Sequence, residues 1–177
     1  MNLFLKILGC FIMSSMINNS VSEAAEPGSI PVPASITSLT GCWHGEGEVM
    51  GKPVTITIVA KSIVQNAMFS IDVDSVAKED PSDRYSAHLI FGGDKPLSEK
   101  SDKPIIGFWS DSFGGSFSSL GKGISNFNGF EITYGSFINK WKKSGEKLNW
   151  NITSKDKKGK LYSFASYSLT KTICSSN

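Results

Sequence analysis

Alternating apolar and polar residues mark most of the chain beyond residue 40. In residues 54–58 valine and isoleucine alternate with threonine, and the alternation recurs over 69–74, 85–91, 130–134 and 148–152. A period of two predicts β-strands that bury one face and expose the other to water. Turns rich in glycine, proline and charged residues separate these stretches. The pattern therefore predicts about 8–10 short strands, with no helix beyond one short turn near residues 35–40.

The connections between the predicted strands are mostly of hairpin length. A meander of hairpins favours a single antiparallel up-and-down β-barrel, because closure leaves no open sheet edge. The alternative is a β-sandwich, which usually needs a long crossover connection. Only the loop over residues 92–104 is long enough to supply one. The predicted fold class is all-β, as one barrel domain over residues 35–174.

The strand from Ile105 leads into a glycine turn at residues 114–115. Strict alternation places Ile105, Trp109 and Phe113 on one face, with Asp111 in the same register. A buried carboxylate is costly unless it is paired or hydrogen-bonded, so an inward Asp111 would bond the barrel or orient a ligand. The alternative is that the strand ends near Ser110 and Asp111 caps the following turn.

The first 24 residues have the features of a signal peptide. Lys6 precedes an apolar run, and Ser22-Glu23-Ala24 presents small residues at a cleavage position after Ala24. The run is too short and too interrupted by serine for a membrane anchor, so no transmembrane segment is expected after cleavage. These features predict a periplasmic or secreted protein, with lipidation at Cys10 as a minor alternative. Residues 25–34 contain three prolines and are predicted to form a linker.

Two cysteines, Cys42 and Cys174, remain after cleavage. In an exported protein they are candidates for a disulfide that ties the C-terminal tail to the first strand. The alternative is two free, buried thiols. No second pair of ligands has the spacing of a metal site, so no metal is predicted.

The net charge and the sequence motifs argue against two classes of function, nucleic-acid binding and catalysis. A formal net charge of +2 gives no support to nucleic-acid binding. The two histidines, His44 and His88, fall on the polar face of their strands, and Glu131 does so as well. The sequence contains no Gly-x-Ser-x-Gly motif, and no cofactor is predicted. We therefore favour a binding protein over an enzyme.

Residues 39–47, Leu-Thr-Gly-Cys-Trp-His-Gly-Glu-Gly, open the first predicted strand with a Gly-x-Trp motif. This motif resembles that of lipocalins and the wider calycin group. With the later Trp109-Ser110-Asp111-Ser112, it resembles the bacterial lipocalin-like domains grouped as domain-of-unknown-function family 1579. The resemblance covers most of the chain after the signal peptide. It implies a β-barrel in which Trp43 closes one end, and it implies no particular activity.

A related group of barrels binds haem through a histidine near the C-terminal end. This chain has no histidine after His88, which counts against haem held in that way.

Small residues occur at three positions that the alternation predicts to face the barrel interior, Gly45, Gly47 and Ala87. They leave room for an interior cavity. The predicted function is therefore binding of a small apolar or amphipathic ligand inside the barrel. Two alternatives stay open, an enzyme acting on a hydrophobic substrate in the same interior and a filled-core protein that interacts through its surface loops. The sequence does not fix the oligomeric state. The candidate ligand-binding residues are Trp43, Phe69, Tyr85, Phe91, Trp109, Asp111, Phe113, Phe130, Tyr134 and Trp150.

Overall fold

The computed structural model describes residues 28–94 and 102–174, and they form a closed ten-stranded antiparallel β-barrel. The predicted signal peptide, the first part of the predicted linker and most of the 92–104 loop lie outside the described residues. The strands are β1 (Gly41–Val49), β2 (Lys52–Ile63), β3 (Met68–Ala77), β4 (Arg84–Gly93), β5 (Lys103–Asp111), β6 (Ser119–Asn126), β7 (Gly129–Tyr134), β8 (Phe137–Ser144), β9 (Lys147–Lys155) and β10 (Leu161–Thr172).

Each strand pairs with its neighbours in sequence, and β10 pairs with β1 to close the barrel. The predicted all-β, up-and-down barrel is thus confirmed. No helix in the described part of the chain is long and apolar enough to cross a membrane.

One register shift changes which side chains face inward on β10. The ladder between β9 and β10 slips between Ser163 and Ala165, which leaves Phe164 as an extra residue. Strict alternation along β10 would put Leu161 on the inward face with Ala165, but Leu161 is 53% exposed. The bulge is the reason, because one inserted residue reverses the faces on either side of it.

One end of the barrel, here the closed end, is covered by the short helix α1 (Ala34–Thr37). Ile36 and Leu39 are buried there, and the indole Nε1 of the fully buried Trp43 donates to the carbonyl of Leu39 at 2.7 Å. This position agrees with the closing role that the resemblance implies for Trp43. The cysteines Cys42 and Cys174 are joined by a disulfide at the same end, so the predicted bridge is present.

A chain of aromatic rings fills the middle of the barrel. Trp150 stacks on Trp141 with ring centroids 4.2 Å apart, and Trp141 stacks on Phe130. Phe130 in turn meets Phe91 edge-on, and all four rings are buried. The indole Nε1 of Trp150 donates to the buried Asn139 Oδ1 at 3.0 Å, which satisfies the amide oxygen.

Tyrosine rings occupy the space that inward-facing glycines leave. A Cβ atom at Gly107 would lie 2.4 Å from the Tyr134 hydroxyl oxygen, and one at Gly47 would lie 2.6 Å from the Tyr167 ring. The small inward residues therefore make room for large neighbours. The expectation that Gly47 leaves room for an interior cavity is therefore not met, because the Tyr167 ring occupies that space.

Candidate functional site

The end of the barrel opposite α1, here the mouth, carries the hairpin turn after β5. Asp111 is the last residue of β5 and is half-buried. Its Oδ2 accepts hydrogen bonds from Trp109 Nε1 at 3.1 Å and from the Tyr85 hydroxyl at 3.2 Å. Its Oδ1 accepts from the backbone N–H of Phe113 at 3.0 Å. One carboxylate oxygen thus binds interior side chains while the other caps the turn, so both sequence interpretations of Asp111 hold in part.

Aromatic rings surround this carboxylate on the solvent side. Phe113 packs on Tyr85 with centroids 5.9 Å apart, and Phe117 packs on Phe113 at 5.7 Å. Phe113 is 70% exposed and Phe117 is 60% exposed. The prediction that Phe113 continues the inward stripe of β5 is wrong, because the strand ends at Asp111 and the turn carries the ring to the mouth.

Trp109 joins the mouth to the filled interior. Its ring meets Tyr134 edge-on at 5.5 Å and lies 5.9 Å from Trp150. The hydroxyl of Tyr134 is buried and has no hydrogen-bond partner within the described residues. The packed interior below Trp109 therefore contains one unpaired hydroxyl.

Burial favours the protonated form of three tyrosine hydroxyls in the barrel. Burial raises the pKa of Tyr85, and the nearby Asp111 charge raises it further. Burial also raises the pKa of Tyr134 and raises the pKa of Tyr167 to about 12. The neutral Tyr85 hydroxyl donates to Asp111 Oδ2, so the carboxylate receives this hydrogen bond from an uncharged group.

The structure separates the predicted site residues into two groups. Tyr85, Trp109, Asp111 and Phe113 come together at the mouth. The remaining six are buried interior residues: Trp43, Phe69, Phe91, Phe130, Tyr134 and Trp150.

Sequence reasoning missed Trp141, Tyr167 and Phe117. Trp141 shares the inward face of β8 with Asn139. Because Asn139 is polar, β8 does not show the alternation of apolar and polar residues that predicts an inward face. Tyr167 falls on the inward face of β10, but its contact with Trp150 depends on the pairing of β9 with β10, which the sequence alone does not give. Phe117 lies in a short 3₁₀ turn, Gly115–Phe117, and no periodicity marks it.

The outer wall of β3, β4 and β5 holds a polar row beside the mouth. Asp72, His88 and Ser110 lie opposite one another in register, and His88 Nδ1 contacts Asp72 Oδ1 at 2.5 Å. The Ser110 hydroxyl instead shares a hydrogen bond with Ser118 at 3.2 Å. Ser110 is therefore not joined to His88, as a nucleophilic relay would require. Within residues 28–94 and 102–174, no three metal-ligating side chains cluster.

Comparison with known proteins adds no functional assignment to this geometry. No protein-family profile matches the chain, and no curated protein matches it. The fold is a ten-stranded antiparallel barrel consistent with a calycin-like architecture, whereas the specific likeness to family 1579 stays a prediction.

Proposed function

We propose that this chain is an exported barrel that binds a small apolar or amphipathic ligand at its mouth. The main supporting observation is the difference between the closed end and the mouth of the barrel. The closed end is sealed by α1, Trp43 and the disulfide, whereas the mouth exposes Phe113 and Phe117 beside a hydrogen-bonded carboxylate.

The mouth has the composition of a small-molecule site. Such sites combine aromatic walls with a few fixed polar groups that orient the ligand. Here Tyr85, Trp109 and Phe113 supply the walls, and Asp111 supplies the fixed polar group. The stacked rings below Trp109 support a site at the mouth and not deep in the barrel.

Native mass spectrometry of protein purified gently from its exporting host tests the proposal. A co-purifying mass that is lost on denaturation, and that is absent from a Phe113→Ser variant, is the expected result. Phe108→Ser is the matched control, because Phe108 is a 47% exposed phenylalanine of β5 on the outer wall. Protein that carries no ligand, even after incubation with a lipid extract, would refute the proposal.

A second candidate function has its own observation. Phe108, Leu120 and Ile124 are 47%, 54% and 48% exposed on neighbouring strands, and Phe108 pairs directly with Leu120. Exposed apolar side chains that lie side by side on a filled barrel, as Phe108 and Leu120 do, favour a surface that contacts another protein. Sedimentation that depends on concentration in the wild type, but not in Phe108→Ser, would support this candidate through self-association. Phe113→Ser, the control here, should sediment like the wild type.

A further inference from the structure

Asp111 at the mouth carries a negative charge that has no cationic partner among the described residues. The described residues form four ion pairs, and none of them includes Asp111. The three groups that donate to its oxygens are an indole, a phenol and a backbone amide, and all three are neutral. Hydrogen bonds from neutral donors stabilise the carboxylate but leave its charge uncompensated.

The aromatic rings around this charge favour a weakly hydrated cation. The face of an aromatic ring attracts an ammonium group, and the attraction grows when water is excluded. Phe113 lies next to Tyr85 and is largely exposed, so its ring is accessible to a ligand beside the carboxylate. We propose that the mouth binds its ligand through a positively charged head group, an ammonium or quaternary ammonium, held by the Asp111 carboxylate and the adjacent rings.

A lysine-rich turn at the same end could instead favour an anion. The turn between β9 and β10 contains Lys155, Lys157, Lys158 and Lys160. Its own Asp156 accepts from the backbone of Lys158 and Lys160, and Lys160 Nζ lies 5.0 Å from the Tyr162 ring centre. No ammonium group of this turn reaches Asp111 within 4.0 Å, so the charge next to the exposed rings is negative.

This inference rests on the proposed ligand-binding function. Three probes that share one alkyl chain and differ in head-group charge distinguish a failure of the cation inference from a failure of the proposed function. Octyltrimethylammonium, octanol and octanoate are titrated into the mature protein by isothermal calorimetry, below their micelle concentrations. We expect the cation to bind at least about tenfold more tightly than octanol, and octanoate to bind most weakly. Octanol binding as tightly as the cation, or octanoate binding best, would overturn the cation inference and leave the proposed function standing. No binding by any probe would refute both.

Asp111→Asn removes the charge and nearly preserves the shape. It should weaken binding of octyltrimethylammonium by about tenfold and leave octanol binding unchanged. Asp156→Asn is the matched control, because Asp156 also caps a turn at the mouth and accepts from a tyrosine hydroxyl. It should change neither affinity. Equal losses in both variants, or no loss in Asp111→Asn, would overturn the inference.

A salt titration of the wild type keeps the inference testable if Asp111→Asn fails to fold. Added salt screens the attraction between the cation and Asp111 and should weaken octyltrimethylammonium binding, but not octanol binding. Equal salt dependence of the two probes would overturn the inference.

Discussion

Replacing Trp150 by phenylalanine tests whether the barrel interior is a packed core. The change removes the Nε1–H that donates to Asn139 Oδ1 at 3.0 Å and shortens a ring that stacks on Trp141 at 4.2 Å. Asn139 is buried, so its unpaired oxygen costs about 1–3 kcal/mol. Lost stacking and the residual cavity add roughly 1–2 kcal/mol, since complete truncation of a core tryptophan costs about 3–5 kcal/mol.

The expected loss of unfolding free energy for Trp150→Phe is therefore about 3 kcal/mol, measured by urea unfolding followed by far-ultraviolet circular dichroism. Asn139→Leu should cost about 2 kcal/mol, because it leaves the Trp150 N–H unpaired. The double variant leaves neither group unpaired, so its loss should be smaller than the sum of the single losses by about 1–2 kcal/mol.

Trp109→Phe is the control for this cycle, because Trp109 is half-buried and water can replace its hydrogen bond to Asp111. It should destabilise less than Trp150→Phe. A loss below about 1 kcal/mol for Trp150→Phe, or strictly additive losses in the cycle, would contradict a packed aromatic interior and point to an open cavity around Trp150.

Three further perturbations follow from the fold. The disulfide closes a loop with a sequence separation of 132, so serine at both Cys42 and Cys174 should cost about 2–5 kcal/mol in urea unfolding, and reductant should destabilise the wild type equally. Gly107→Ala should cost about 1–3 kcal/mol by thermal unfolding because its methyl group meets the Tyr134 hydroxyl, whereas Gly115→Ala, where nothing lies within 4 Å, should be close to neutral. Burial raises the pKa of Tyr167 from 10.0 to about 12. The contribution of the protonated hydroxyl to the free energy of unfolding is therefore complete below pH 10.0 and is lost as the pH rises through about 12. In Tyr167→Phe the free energy of unfolding should decline less steeply over this pH range.

Alternation along the strands was sufficient to predict the fold. On nearly every strand, alternate residues are buried and the residues between them are exposed. Because the connections are short, each strand pairs with the next strand in sequence, and the result is an up-and-down barrel. The cysteine pair was predictable for a similar reason, because Cys42 begins the first strand and Cys174 follows the last, and barrel closure makes these strands neighbours.

The candidate site was harder to predict from the sequence, because it depends on the residue at which strand β5 and its alternation of buried and exposed side chains end. β5 ends at Asp111, and only the three-dimensional turn shows that Phe113 lies outside the barrel while still touching Tyr85. The volume of the interior was equally hidden. In the sequence an inward glycine such as Gly47 indicates open volume, whereas the Tyr167 ring that fills this volume comes from another strand.

The indole N–H signals in a proton–nitrogen correlation spectrum test the central claim most directly. The chain has four tryptophans, and Trp109 is half-buried at the mouth, whereas Trp43, Trp141 and Trp150 are buried. With octanol, an uncharged probe whose binding does not depend on Asp111, the Trp109 signal should shift strongly and the other three should hardly move. A shift of Trp141 and Trp150 with Trp109 unmoved would place the ligand inside the barrel and contradict binding at the mouth.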